Sequence, residues 1–284
     1  MEYQLKFPCC LPADPLGMGY GADYFTKVQA GRSSAFTTDY IYFSIKNGCE
    51  VHCLGMGEKS MALLLEISPY VLAYRCQYPM LLEHARARID AYVTGLQDEM
   101  PEIRQRDVMS VDVLVTARSS VGRKSGVTLE CPKYLVLSHK LREDLSKRNI
   151  KKRLATERNE SKLAGYEYRV FSRNGTLDEC GKSARKIYLW GKGHNVNEGI
   201  SAAAALGEIF YRTYTGDMLD EYLIKVSKKL SISADECYQY LSAAINFGFL
   251  FVDLSFPVGT RNPIHLVKPS DAVPPWISFS GKVN

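Results

Sequence analysis

Asp112, Glu130 and Lys133 are the residues of this chain whose types and spacing could do chemistry together. Met109, Val111, Val113 and Val115 alternate with Ser110, Asp112 and Leu114, which is the period of a strand and sets Asp112 opposite an apolar row. A polar loop with Gly122 and Gly126 follows, and then a second short strand is expected over residues 127–131. On it Val127, Leu129 and Cys131 share one face, and Thr128 and Glu130 the other. The expectation is a hairpin with carboxylates on adjacent strands and Lys133 just beyond. Such a pair repels itself unless a cation sits between its members, so the chemistry indicated is the holding of Mg²⁺ or Mn²⁺. A neighbouring ammonium would orient water or offset charge on a phosphoryl group. The alternative is a solvated hairpin carrying charges on its outer face.

Further elements must position that hairpin. Residues 39–44 and 49–54 read as strands around the turn Lys46-Asn47-Gly48. Residues 55–67 read as a helix with Met61, Ala62, Leu64 and Leu65 on its apolar face, stopped by Ser68-Pro69. Glu58 opens that helix one turn before Met61, and by itself is accounted for as a charge favourable to the helix dipole. Residues 69–79 read as a strand, 81–93 as a connector, 94–105 as a polar loop, and 166–171 as a closing strand. Residues 137–164 have helical character and hold nine Lys or Arg between His139 and Lys162 against four Asp or Glu. That excess equals the formal charge of the whole chain, +5. It describes either a solvated helix face or a DNA-backbone contact through residues such as Lys151, Lys152 and Arg153.

The order predicts a mixed α/β domain over residues 38–172, preceded by an irregular arm over 1–37. A break rich in turn residues falls at 172–181, so a chain ending near Ser172 is expected to fold alone. Beyond it, helical patterns, the capping box Ser233/Glu236 and two strands over 249–254 and 264–267 give the order of a winged helix across residues 182–268. Arg261 would lie in the wing, facing DNA or protein. Residues 269–284 read as a tail.

At 284 residues and 46% hydrophobic, the chain can bury one large core or two modest ones. No apolar run approaches membrane-helix length, and the first residues are too polar and proline-broken for a signal peptide, so a cytoplasmic protein without membrane contact is expected. The eight cysteines are scattered, which favours reduced thiols. Cys49, His52 and Cys53 suggest zinc, but no second ligand pair follows.

Several stretches together resemble the TnsA family, the endonuclease subunit of Tns-type heteromeric transposases. They are HCLGMGEKSMALLLEISPYVLAYRCQYPM, in which a Glu opens a helix leading to a strand that ends Arg-x-Gln-aromatic-Pro, then MSVDVLV, LECPK and YEYRVFS. The likeness spans roughly residues 38–172. It implies a restriction-endonuclease-like mixed sheet with flanking helices, followed by a mainly helical winged-helix domain. It also implies Mg²⁺-dependent (or Mn²⁺-dependent) cutting of the 5′, non-transferred strands at transposon ends. A TnsB-type transposase would join the 3′ ends, and a TnsC-type ATPase would engage the C-terminal domain. By position Glu58 matches the family's helix Glu, Asp112 its metal aspartate, and Glu130 its second metal-side residue. The family places Lys two residues after the last of these, where this chain has Pro132, with Lys133 one further on. A bulge at Pro132 would return Lys133 to the site. Otherwise Lys124 substitutes, or the nuclease is impaired and serves as an adaptor between transposase and ATPase. A stand-alone restriction or repair nuclease is the remaining alternative.

Overall fold

The structure, a computed structural model, describes residues 16, 19, 21–26, 40–118, 132–173, 175–193 and 199–279. Strands β1 (Tyr40–Ser44) and β2 (Cys49–Cys53) form an antiparallel hairpin with Ser44 opposite Cys49. Its turn needs Gly48, whose φ of 71° lies in the left-handed region that strains a residue bearing Cβ. Asn47 ties the turn to the next sheet, donating to Tyr74 O at 2.8 Å and accepting from Tyr74 N at 3.1 Å. Helix α1 (Met56–Ile67) follows, burying Met61, Ala62, Leu64 and Leu65 as the sequence pattern requires.

A four-stranded mixed sheet is built next. In chain order come β3 (Val71–Leu81), α2 (Glu83–Val93), β4 (Val108–Ala117), β5 (Lys133–Leu141), α3 (Arg148–Leu163) and β6 (Glu167–Arg173). The spatial order is β3-β4-β5-β6, antiparallel at the first two junctions and parallel between β5 and β6. That parallel pair needs a crossover, which α3 supplies. The sheet buries both faces. Tyr74, Val113, Val115, Leu135 and Leu137 join the core beneath α1, while Tyr78, Met80, Leu114 and Val136 join Ala85 and Ile89 of α2. The mixed α/β class is therefore as expected, with helices flanking the sheet.

Two boundaries differ from the expectation. The anticipated strand at 127–131, with Glu130, lies outside the described residues. On the side of β4 away from β3 the partner is β5, which runs on to Leu141, so residues 137–141 are strand rather than the start of the basic helix. Leu135, Val136 and Leu137 are buried on both sides, and a continuous apolar run carries no period that separates strand from helix. The anticipated break at 172–181 is occupied by α4 (Gly175–Gly191). Gly181 is buried inside it because α1 crosses so close that a Cβ there would meet Ser60 Oγ at 2.6 Å.

Helices α5 (Ile200–Thr213), α6 (Leu219–Leu230) and α7 (Ala234–Phe247) complete the second half. The Ser233/Glu236 capping box is present at α7, and Gly248 ends that helix at φ 78°. The two strands expected after it reduce to one antiparallel bridge, Val252 with Leu266, flanked by Asp253 N to His265 O and Val267 N to Phe251 O. Pro257 and Pro263 interrupt the intervening segment, and proline cannot donate to a ladder. The last described residues fold back: Tyr70 donates to Ala272 O at 2.9 Å, and Phe279 packs on Phe171 with ring centroids 5.9 Å apart. One apolar core runs unbroken from Val51 through α1, α4 and α7 to Trp276. No described helix is long and apolar enough to cross a membrane.

Candidate active site

Asp112 is 7% exposed on β4. Its Oδ2 accepts from His139 N at 2.6 Å and from Lys140 Nζ at 3.0 Å, both on β5. The register pairs Val113 with Leu137, which sets Ser138 beside Asp112. Glu58 arrives from the first turn of α1. Its Oε2 accepts from Leu54 N at 2.9 Å and from Gln77 Nε2 at 3.1 Å. Burial first, and then the charge of Asp112, push the Glu58 carboxyl up to about 7. The two carboxylates thus repel each other across the site, and Lys140 partly relieves that repulsion.

Gln77 has φ 53° on β3, where a side chain is normally excluded. The register steps from Cys76–Val113 to Tyr78–Val111 across it. Its amide nitrogen holds Glu58, and its Oε1 receives Ser110 Oγ at 3.4 Å. Strained backbone of this kind persists where surrounding contacts impose it, and here they fix Glu58. His139 locks the opposite side. Its ring lies against Gly57, where a Cβ would collide with Nε2, so only glycine fits before Glu58. Burial pushes this imidazole down to about 4, leaving it neutral, and its buried Nε2 has no hydrogen-bond partner among the described residues.

The anticipated site residues separate into groups. Glu58 and Asp112 are brought together. Lys133 begins β5 opposite Ala117, is 60% exposed, and among the described residues comes no nearer to a carboxylate than 3.9 Å from Glu167. At about 3.4 Å per residue, the five steps from Ser138 put it roughly 17 Å along the strand from the neighbour of Asp112. Lys140 occupies the place at Asp112 that Lys133 was expected to take. Glu130 and Lys124 lie outside the described residues. On α3, Lys151 and Lys152 are exposed, whereas Arg153 Nε is bound to Glu157 Oε1 at 2.8 Å. Arg261 is exposed in the segment between the bridged residues Val252 and Leu266.

Sequence reasoning missed Lys140, Gln77 and His139 as parts of this site. Ser138-His139-Lys140 keeps the x-x-Lys spacing of a metal-side residue followed by its lysine, but serine in the acidic position hid it. Gln77 was visible only inside the Arg-x-Gln-aromatic-Pro run.

The donor set suits a hard divalent cation. On each carboxylate the hydrogen bonds fall on one oxygen, leaving Glu58 Oε1 and Asp112 Oδ1 without a protein partner among the described residues. Among those residues no three His, Cys, Asp or Glu side chains gather closely enough to enclose an ion. Two carboxylates with the remaining positions filled by water is a usual way to hold Mg²⁺, which dehydrates reluctantly. Cys49, His52 and Cys53 form no such group either. No family model matches the chain, and no curated protein matches it.

Proposed function

We propose that the chain is a metal-dependent DNA endonuclease of the TnsA kind, cutting the 5′ strands at transposon ends within a heteromeric transposase. The observation that carries the reading is the convergence of Glu58, Asp112 and Lys140 from a helix and two central strands. It sits on the stretches that carry the family resemblance, and the mixed sheet backed by α1 and α3 suits a restriction-endonuclease-like domain. Mg²⁺ or Mn²⁺ bound by Glu58 and Asp112 would acidify a water and draw charge from the scissile phosphate. The protein's own part is positional. Gln77 and Leu54 N aim Glu58, His139 N aims Asp112, and the Lys140 ammonium stands ready to offset charge on the phosphate. The exposed Lys151 and Lys152 would hold the DNA backbone near the site.

Residues 200–267, three helices followed by a bridged turn, support the winged-helix reading and a docking role toward a TnsC-type ATPase. The test is reconstitution with a TnsB-type transposase, a TnsC-type ATPase and transposon-end DNA. Asp112→Asn should abolish 5′ cuts while leaving 3′ joining intact; 5′ cuts that persist would refute the assignment. A second reading, an adaptor without cleavage, is favoured by Ser138, an uncharged residue at the β5 position beside Asp112. It predicts a wild-type complex that assembles and never makes 5′ cuts.

A further inference from the structure

Ser138 is fully buried, and so is the carboxylate behind it. Its hydroxyl donates to Glu157 Oε2 of α3, in a short hydrogen bond. The same oxygen accepts from Tyr168 OH at 3.0 Å, and Oε1 accepts from Arg153 Nε at 2.8 Å. Arg153 and Tyr168 are contacts of the sort that fasten a helix to a sheet. They do not explain why the third partner is a hydroxyl on the strand position beside Asp112, two residues before the lysine that binds Asp112.

The charge of Asp112 acts on both Arg153 and Tyr168, so the two carboxylates share one electrostatic neighbourhood. A serine that gives its proton to a carboxylate keeps two lone pairs, and with Tyr168 also beside this hydroxyl at least one is left over. The carboxylate also enriches that oxygen, as outer hydrogen-bond partners do for metal ligands. Its cross-strand neighbour in the β4–β5 register is Asp112, nine-tenths buried, with Oδ1 unpartnered among the described residues.

We propose that Ser138 and Glu157 together take the part of the second metal-side carboxylate. Ser138 Oγ presents its lone pairs to the divalent ion or to a water on it, and Glu157 supplies negative charge through the shared hydrogen bond. The proposal rests on the metal-dependent reading above. It makes a strand carboxylate unnecessary at this position.

The test is Mn²⁺ titration of the full chain by calorimetry and electron paramagnetic resonance, without DNA or partners. Wild type should bind and Asp112→Asn should not. Ser138→Ala and Glu157→Gln should each weaken Mn²⁺ binding about ten- to a hundredfold, the range for outer partners of metal ligands. Their combination should be no weaker than either alone, because both break one relay. Ser138→Glu with Glu157→Gln should recover affinity to within a few fold, by moving the charge onto the strand. Ser138→Ala binding Mn²⁺ as tightly as wild type overturns the relay, whatever Glu157→Gln does to folding. Independent, additive losses in the double variant overturn it too. A wild-type chain that binds no Mn²⁺ defeats the metal reading itself, a distinct result.

Discussion

Lys140 Nζ rests 3.0 Å from Asp112 Oδ2, and both side chains are largely buried. The pair joins the two central strands, and it places a cation in direct contact with Asp112 two residues after Ser138. Removing Lys140 would leave Asp112 facing Glu58 without that compensation. Lys140→Ala should depress 5′ cleavage in the assembled complex about a hundredfold or more, the range for losing one charge-stabilising group. Lys133→Ala should cut nearly as wild type, since Lys133 is exposed at the far end of β5. Strand-specific nicking assays rank the two, and the reverse ranking would return the role to Lys133.

Glu58 makes stability depend on pH. Its folded carboxyl titrates near 7 against an ordinary 4.5, so between those values the folded chain holds a proton that the unfolded chain has lost. Stability from this group is therefore fully present below about 4.5 and is lost as pH rises toward 7. In metal-free protein, Glu58→Gln should melt higher than wild type at pH 8, and the gap should close on acidification to pH 4.5. Because Gln offers the ion a neutral amide oxygen in place of a carboxylate, the same variant should lose most of the Mn²⁺-induced stabilisation. Thermal melts across pH in a chelator, then with Mn²⁺, check both signs. A gap that stays constant with pH would mean that Glu58 is strained neither by its burial nor by Asp112.

The basic helix separates into two populations. Lys151 and Lys152 face solvent on α3, whereas Arg153 holds the buried Glu157. Lys151→Glu with Lys152→Glu should weaken DNA binding and flatten its salt dependence, by roughly 0.9 in slope for each phosphate left unneutralised. Melting should hardly change. Arg153→Glu should lower the melting temperature, because it removes the cation paired with the buried Glu157 and sets a like charge against it. Binding isotherms at several salt concentrations decide it, and an unchanged slope would make Lys151 and Lys152 an ordinary solvated face.

Much of this architecture can be read from sequence where local pattern and tertiary need agree. The Asn47-Gly48 turn, the apolar face of α1, the alternation around Asp112 and the Ser233/Glu236 box each state their structure locally. Glu58 is different, since its position on α1 was legible but its proximity to Asp112 came from the family likeness. Lys140 was hidden because Leu135–Leu137 is buried on both faces and lacks a period, and its charge merged with those of α3. Gln77 could not be read, because its positive φ follows from contacts with Glu58 and Ser110 rather than from any residue preference. Gly181 looked like a chain break for an equally tertiary reason: glycine is there to admit Ser60 of α1.

That last relationship bears on how the chain can be divided. Composition suggests that residues up to Ser172 fold alone, but α4 lies beyond that point and packs against α1. Leu177, Cys180, Ala184 and Ile187 of α4 are buried in the same core as Met61, Leu64 and Leu65 of α1. A cut at Ser172 would remove α4 and expose that face of α1, together with Phe171, which Phe279 also contacts. Each fully buried Leu- or Ile-sized side chain contributes roughly 1.5–3 kcal/mol, and a whole domain is stable by only about 5–15 kcal/mol. Exposing this set uses up that margin. A chain ending at Ser172 should therefore be aggregated or lack a cooperative melt, whereas one ending at Lys192 keeps α4 and should recover part of the fold. Circular dichroism melts of the two truncations against the full chain make the comparison. A sharp transition in the shorter piece would show that α4 packs on the sheet domain without being needed by it, and the division at 172–181 would stand.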